Sequence, residues 1–252
     1  MLLVIDCGNT RTKWALVNHA GELQRAEACN NADLSVSTLA QTAQKASKVM
    51  VANVAGETVA QTVTQLVVPI KPYFVVAKQQ ACDVINQYEQ AERLGADRWV
   101  SLIAAWQIFR QTSLVVNAGT AITIDCLVKS EQETKGMFLG GTIMSGLRLM
   151  QKELAQNTAQ LNVGEGSYSD FPVNTQDAIQ TGCLNAAVGA IIVQWQKLQK
   201  NTDSLPVIII SGGDANPIFN ALTGHLKLAE KQVMMAENLV LQGLAILGKE
   251  YI

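Results

Sequence analysis

Leu3-Val4-Ile5-Asp6-Cys7-Gly8-Asn9-Thr10-Arg11-Thr12-Lys13-Trp14-Ala15-Leu16-Val17 opens the chain. Leu114-Val115-Val116-Asn117-Ala118-Gly119-Thr120-Ala121-Ile122-Thr123-Ile124-Asp125-Cys126-Leu127-Val128 can be laid over it. Gly8 falls on Gly119, Asp6 on Asn117, Asn9 on Thr120, Thr12 on Thr123, and Leu16-Val17 on Leu127-Val128. Each copy reads as an apolar strand, a polar-x-Gly-polar turn and a second strand. The recurrence predicts a duplicated fold with halves at residues 1–112 and 113–252, and its period is far too long for a solenoid.

Outward from these units the pattern alternates. Strands are expected at 49–54 and 73–76, and the strongest buried strand is Val207-Ile208-Ile209-Ile210. Helical spacing is expected over 33–48, around Val59 to Leu66, over 97–111, from Leu147 to Leu161, from Thr175 to Leu198, and over 237–247. The polar stretch Gly164 to Asn174 reads as a loop, and Asn18 to Glu22 as a hairpin turn. Alternating strands and helices place the chain in the α/β class.

The 252 residues carry 19 Lys and Arg against 21 Asp and Glu, with 48% hydrophobic and 16% charged residues. This is a globular composition with enough apolar surface for a core that needs no disulfide or metal staple. Near-balanced charge offers no electrostatic footprint for nucleic acid. No apolar stretch reaches about 18 residues, so no membrane span is expected. The start, Met1-Leu2-Leu3-Val4-Ile5-Asp6, reads as a strand and not a signal peptide. Five cysteines without C-x-x-C spacing fit reduced thiols and a cytoplasmic setting. With two histidines and no obvious partner for either, a His-centred triad is a poor candidate.

Three strands end in small polar turns: Asp6 to Thr10, Asn117 to Thr120, and Ser211-Gly212-Gly213-Asp214. In α/β sheets, ligands bind beyond such strand ends. Glycine lets the main chain approach a ligand, and turn amides and hydroxyls can hold phosphate oxygens. Asp6 suits a magnesium ion held through water, and Lys13 suits phosphate charge. Neither a Walker loop nor a G-x-G-x-x-G follows the first strand.

Taken in order, Asp6-Cys7-Gly8-Asn9-Thr10 with Lys13-Trp14, Leu94-Gly95-Ala96-Asp97-Arg98-Trp99, Gly119-Thr120-Ala121-x-Thr123-x-Asp125, Gly140-Gly141-x-Ile143-x-x-Gly146 and Ser211-Gly212-Gly213-Asp214-Ala215 form a specific set. On these residues the chain resembles the type III pantothenate kinases, a bacterial family of the actin/hexokinase/Hsp70-like ATPase superfamily. The resemblance covers nearly the whole chain. It implies a duplicated actin-like, ribonuclease H-like α/β fold with two similar halves around a nucleotide cleft. It implies transfer of phosphate from Mg-ATP to the 4′-hydroxyl of pantothenate, the first step of coenzyme A synthesis, by a homodimer. It assigns Asp6, Cys7, Gly8, Asn9, Thr10, Arg11, Thr12 and Lys13 to the ATP phosphates, with Thr120 on the opposite turn. Gly95, Ala96, Asp97 and Arg98 line the pantothenate pocket, with Asp97 as general base. Tyr88 sits on the substrate, Thr175 reaches in from the partner subunit, and Gly212-Gly213 lies near the nucleoside.

Two positions depart from the family pattern. Asn117 stands where the family has an aspartate tied to a monovalent cation, potassium or ammonium. The amide keeps an oxygen ligand but loses a unit charge. Asn157 stands where some relatives have histidine. The departure at Asn117 keeps open a non-catalytic nucleotide-binding accessory or regulatory protein of the same fold.

By their residues alone, several of these positions have plainer readings. Asp97 suits the N-terminus of a helix, where the dipole favours an acid. Thr175 suits a helix N-cap, and Tyr88 a half-buried aromatic. Trp14, Trp99, Trp106 and Trp195 are expected in the core or an interface. Leu147, Leu149, Met150 and Leu154 suit core or a dimer contact. Met234-Met235 is expected beside a loop, and Cys7 as an inert small residue.

Overall fold

The computed structural model describes residues 1–130, 134–157, 166–226 and 232–250. In chain order the strands and helices begin with β1 (Leu2–Cys7), β2 (Arg11–Val17), β3 (Glu27–Asn30), α1 (Leu39–Ala43), β4 (Lys48–Asn53), α2 (Glu57–Leu66) and β5 (Tyr73–Phe74). They continue through β6 (Gln80–Ala81), β7 (Val84–Asn86), α3 (Ala96–Phe109), β8 (Ser113–Ala118), β9 (Ala121–Lys129), β10 (Gly136–Ser145) and α4 (Leu147–Asn157). The last are α5 (Thr175–Lys200), β11 (Val207–Ser211), α6 (Ala215–Leu226), β12 (Val233–Met235) and α7 (Leu239–Glu250).

The chain forms two compact units. One holds residues 1–111, 127–140 and 238–252, and the other 112–126 and 141–237. The chain passes between them just before β8, inside β9, inside β10 and just before α7. These units group the chain differently from a division at residue 112. The reason is packing: α7, at the end of the chain, lies against α3 and β1 of the first unit.

In the first unit the strand order is β3-β2-β1-β4-β5. β1 pairs antiparallel with β2 and parallel with β4. β1 is an unbroken apolar run, Leu2 to Ile5, with every residue buried, as suits a central strand covered on both faces. In the second unit β10, β9, β8, β11 and β12 are neighbours in that order, with β11 parallel to both β8 and β12. Each unit thus has a central strand flanked by its hairpin-side strand and by a later parallel strand. The sequence recurrence at Leu3 and Leu114 is the trace of that shared order.

α3 is buried nearly all round, from Ala96 through Trp99 and Ile103 to Trp106, which is the pattern of an interior helix. It stops at Arg110, which takes a left-handed conformation (φ 50°) and donates its N–H to the Trp106 carbonyl at 2.9 Å. Trp14, Trp99, Trp106 and Trp195 are all buried, as expected of them. Trp195 anchors α5, its Nε1 donating to the Pro206 carbonyl at 2.8 Å.

Several local expectations shift. The helix expected over 33–48 is a 3-10 turn, Asn31–Val36, and the single short helix α1. Met234-Met235 ends strand β12, next to the turn that precedes α7, as expected of it. The short strands β6 and β7 carried no recognisable periodicity. The end of the helix expected to Leu161, and the first part of the loop from Gly164, lie outside the described residues, as does the side chain of Asn157. α5 is longer and more apolar than the sequence reading allowed: its mean hydropathy reaches 1.2, enough by length and composition to cross a membrane. Its buried residues nevertheless recur at helical spacing, Leu184, Val188, Ile191, Trp195 and Leu198, and it packs on β8, α4 and α6. That is how a core helix of a globular unit is arranged.

α3 and α7 pack so closely that a Cβ on Gly243 would overlap the Val100 carbonyl. Main chain cannot yield as a flexible side chain can, so Gly243→Val is expected to lower stability by about 1–3 kcal/mol or more. Urea unfolding followed by tryptophan fluorescence, reading the midpoint, checks this.

Candidate active site

The end of β1 carries Asp6 and Cys7 into the turn Gly8-Asn9-Thr10, and β2 returns with Arg11. The hairpin closes with Gly8 N–H donating to the Arg11 carbonyl at 3.0 Å. Strand register sets Asp6 across from Lys13 and Cys7 across from Thr12. Asn9, Thr10 and Arg11 are exposed. Thr12 is fully buried, and its hydroxyl donates to Asn31 Oδ1 at 2.8 Å. Asn31 Nδ2 donates to the Gly8 and Asn9 carbonyls at 2.8 and 3.2 Å, and its main-chain N–H to the Thr10 carbonyl at 3.0 Å. One asparagine thus holds the underside of the turn between β1 and β2. Cys7 is buried, and its thiol is pushed up to about 12 by burial and by the Asp6 charge, which fits the inert role.

The second cluster of the same unit begins α3. Gly95 occupies its N-cap and Asp97 its first turn. Asp97 Oδ1 accepts the Arg98 N–H at 2.8 Å. A Cβ on Gly95 would sit 2.7 Å from that same Oδ1, so glycine leaves room for the carboxylate to fold back over the helix start. Burial holds Asp97 above its ordinary value, while the Arg98 N–H and guanidinium pull it down. Arg98 is only 4% exposed, its guanidinium 5.8 Å from the ring centres of both Tyr88 and Phe138.

The two clusters share one field. The Asp6 carboxyl is pushed up to about 7, first by burial and then by the charge of Asp97, with Lys13 pulling the other way. The unit therefore brings together Asp6, Lys13, Asp97, Arg98 and Tyr88, all of which the sequence singled out. Hard carboxylate oxygens held beside a like charge suit a divalent cation that arrives with phosphates, and Asp6 fits Mg²⁺ in this way. Among the described residues no three His, Cys, Asp or Glu side chains form a metal cage, so the ligand set of such an ion would be completed from outside the protein.

In the second unit, Asn117 ends β8 in register with Ser211 of β11. The following turn closes with Gly119 N–H donating to the Ala121 carbonyl at 3.0 Å and leaves Thr120 exposed. Gly212, at φ 110°, brings its turn so close that a Cβ would overlap the Ala118 carbonyl. Asp214 N–H donates to that carbonyl at 3.1 Å. Asp214 also lies 3.7 Å from Arg148, while burial raises its carboxyl. Asn117, Thr120 and Gly212-Gly213 are thus gathered at one end of this unit.

Thr175 opens α5 and is exposed, but it is not the N-cap. That position is Asn174, whose Oδ1 accepts the Asp177 N–H at 2.9 Å while its Nδ2 donates to Asp177 Oδ2 at 2.6 Å. Thr175 instead borders an apolar groove of about 1000 Å³ between α4 and α5, lined by Met150, Leu154, Val173, Ile179 and Cys183. Phe171 and Val173 beside it are 88% and 97% exposed.

Sequence reasoning missed Asn31, Asn86 and Phe138. The one available signal was a polar Asn86 interrupting the apolar Val84-Ile85. Nothing marked Asn31 or Phe138.

Polar-x-Gly turns at strand ends, Asp6-Cys7-Gly8 on one α/β unit and Asn117-Ala118-Gly119 on the other, with a shared strand order, are the pattern of the duplicated actin-like ATPase fold. Solved structures agree on that fold. The ethanolamine utilization protein EutJ from Carboxydothermus hydrogenoformans matches at a TM-score of 0.56, 10% identity, and 98% and 89% of the two chains. A pCBH ParM quadruple mutant matches at 0.52, 10% identity, and 99% of each. The model of the type III pantothenate kinase family matches residues 2–197. A type III pantothenate kinase of Methylobacillus flagellatus is 39% identical over 96% of each chain. The chain belongs to the type III pantothenate kinase family.

The raised Asp6 carboxyl has a consequence for stability. In the unfolded chain the group titrates near its ordinary 3.8, and in the folded protein near 7. Between those values the folded state keeps a proton that the unfolded state has lost, so stability falls as pH rises through this window and levels off above it. In EDTA, the urea midpoint of the wild type relative to Asp6→Asn is expected to decline from about pH 4 to about pH 7. A pH-independent difference would contradict the placement of Asp6.

Proposed function

We propose that this protein transfers the γ-phosphate of Mg-ATP to the 4′-hydroxyl of pantothenate, the first step of coenzyme A biosynthesis. The observation that carries the reading is the Asp6–Asp97 pair. A carboxylate at the end of the phosphate turn and a carboxylate at the start of α3 lie close enough to raise the proton affinity of Asp6.

Phosphoryl transfer asks for alignment and charge neutralisation more than covalent chemistry. The turn from Asp6 to Lys13 is assigned to the ATP phosphates, with Lys13 as a point cation and Asp6 holding Mg²⁺. When bound, that ion neutralises charge on the phosphate oxygens. Asp97 is assigned as general base: its Oδ takes the proton of the attacking hydroxyl, and burial raises its proton affinity in the direction that task favours. Arg98 presents a planar donor fork to the pantothenate carboxylate, and Tyr88, Gly95 and Ala96 complete that pocket. Thr120 and Gly212-Gly213 are assigned to the nucleotide.

The monovalent cation is a different matter. Asn117 keeps a carbonyl oxygen, an ordinary ligand for potassium, but loses the unit charge of an aspartate, so it would hold potassium or ammonium more weakly.

The assay is ADP release from Mg-ATP with and without pantothenate, in potassium and in sodium-only buffer. Release is expected to depend on pantothenate and to differ little between the salts. Asp97→Asn is expected to lower kcat by about a hundredfold or more. Nucleotide binding with no turnover in either salt would leave the accessory-protein reading standing instead.

We further propose a cytoplasmic homodimer in which a second copy covers the groove between α4 and α5 and brings Thr175 to the partner's pocket. Exposed Phe171 and Val173 beside an apolar groove support this, because contiguous exposed apolar surface marks an interaction site. Ile179→Asp is expected to give a monomer in sedimentation analysis and to lose pantothenate kinase activity with it.

A further inference from the structure

Tyr88 and Arg98 do not hold themselves in place. Tyr88 rests on Asn86 and Phe138, and Arg98 on the Tyr88 and Phe138 rings; Asn86 and Phe138 are fully buried and so cannot touch a substrate. The Asn86 side chain satisfies three main-chain groups of the surrounding segment. Its Oδ1 accepts the Tyr88 N–H at 3.0 Å. Its Nδ2 donates to the Lys78 and Ala91 carbonyls, both at 3.2 Å. Its own main chain is fixed as well, with the N–H donating to the Gln79 carbonyl at 2.9 Å and the carbonyl accepting Gln79 Nε2 at 2.6 Å.

The Ala91 carbonyl also accepts the Leu94 N–H at 3.3 Å. Asn86 is therefore bonded to the short turn that leads directly into Gly95 and Asp97. Phe138 acts on the other side of Tyr88. Its carbonyl accepts the Gln87 N–H at 3.1 Å, and its ring lies 6.0 Å from the Tyr88 ring at 24° between planes. The Arg98 guanidinium lies 5.8 Å from each ring centre. Tyr88 is thus fixed at its main chain by an amide and at its ring by a phenyl face, and the same two rings set the place of the guanidinium.

We propose that Asn86 and Phe138 are positioning residues that lock Tyr88 and Arg98 into the geometry that binds pantothenate. The inference rests on the reading of Tyr88 and Arg98 as the pantothenate pocket. Satisfied buried polar groups rigidify what they touch, and removing one partner leaves others unpaired at full cost. A loosened Tyr88–Arg98 pair weakens substrate capture while the phosphate turn, built on β1, β2 and Asn31, is untouched.

The test is steady-state kinetics on the full-length protein, varying pantothenate and ATP separately, for Asn86→Asp, Asn86→Ser and Phe138→Leu. Asn86→Asp keeps the acceptor for Tyr88 but sets a charge against two carbonyls. Phe138→Leu removes the ring and keeps every main-chain bond. Each variant is expected to raise KM for pantothenate about tenfold or more, with KM for ATP changed less than about twofold. A purely structural role would lower the amount of active enzyme and move neither KM. An unchanged KM for pantothenate, or equal rises in both KM values, overturns the proposal. If the Asn86 variants fail to fold, Phe138→Leu decides it by the same criterion. Arg98→Ala serves as the control for the underlying reading. If it leaves KM for pantothenate unchanged, the pocket assignment itself is wrong. If it raises KM while the three variants do not, only the positioning role fails.

Discussion

Two carboxylates of like charge, Asp6 and Asp97, are held in one poorly solvated region, and the first unit is organised around keeping them there. Left to themselves they would separate or protonate, and burial first, then the charge of Asp97, pushes the Asp6 carboxyl up. They stay because each sits on an element that cannot move alone. Asp6 ends β1, whose preceding residues are enclosed on both faces. Asp97 begins α3, a helix buried almost all round. The burial of strand and helix outweighs the repulsion between two side chains. In the proposed reaction that unfavourable pair would be relieved by a cation at Asp6 and a substrate hydroxyl at Asp97.

The same unit uses asparagine twice as a main-chain clamp. Asn31 binds the carbonyls of Gly8 and Asn9 beneath the turn that follows β1, and Asn86 binds Lys78, Tyr88 and Ala91 beneath the segment leading to α3. An amide offers donors and an acceptor with no charge to desolvate, so it can be buried against irregular main chain where a lysine or aspartate could not. Regular strands satisfy their own hydrogen bonds, but turns that face a ligand cannot. The clamps stand at just those places.

The second unit meets its needs by close approach instead. Gly212 admits the Ala118 carbonyl where any side chain would collide, so the turns after β8 and β11 lie against each other. Its apolar groove beside Thr175 is a surface feature of the kind that no single strand-turn-strand unit foretells. The groove arises where α4 and α5 run past one another.

Much of this was written in the sequence. The duplicated strand-turn-strand units, the three polar turns, α3 with Asp97 in its first turn, and the buried tryptophans all follow from local pattern, because strand alternation, helical period and glycine turns are short-range properties. The Leu94-to-Trp99 motif was legible as the start of α3, and its role at the substrate is what the resemblance implies. Other features were decided only by tertiary structure. The last helix joined the first unit through its packing on α3 and β1. Asn174, and not Thr175, capped α5, because the cap is chosen by which side chain meets Asp177. Asn31 and Phe138 gained their partners from segments brought near by folding, and Asn86 gained its own from the irregular turns on either side of it. A motif is a statement about neighbours in the chain. The proton affinity of Asp6 and the anchoring of Arg98 depend on neighbours in space, and only the folded structure chooses those.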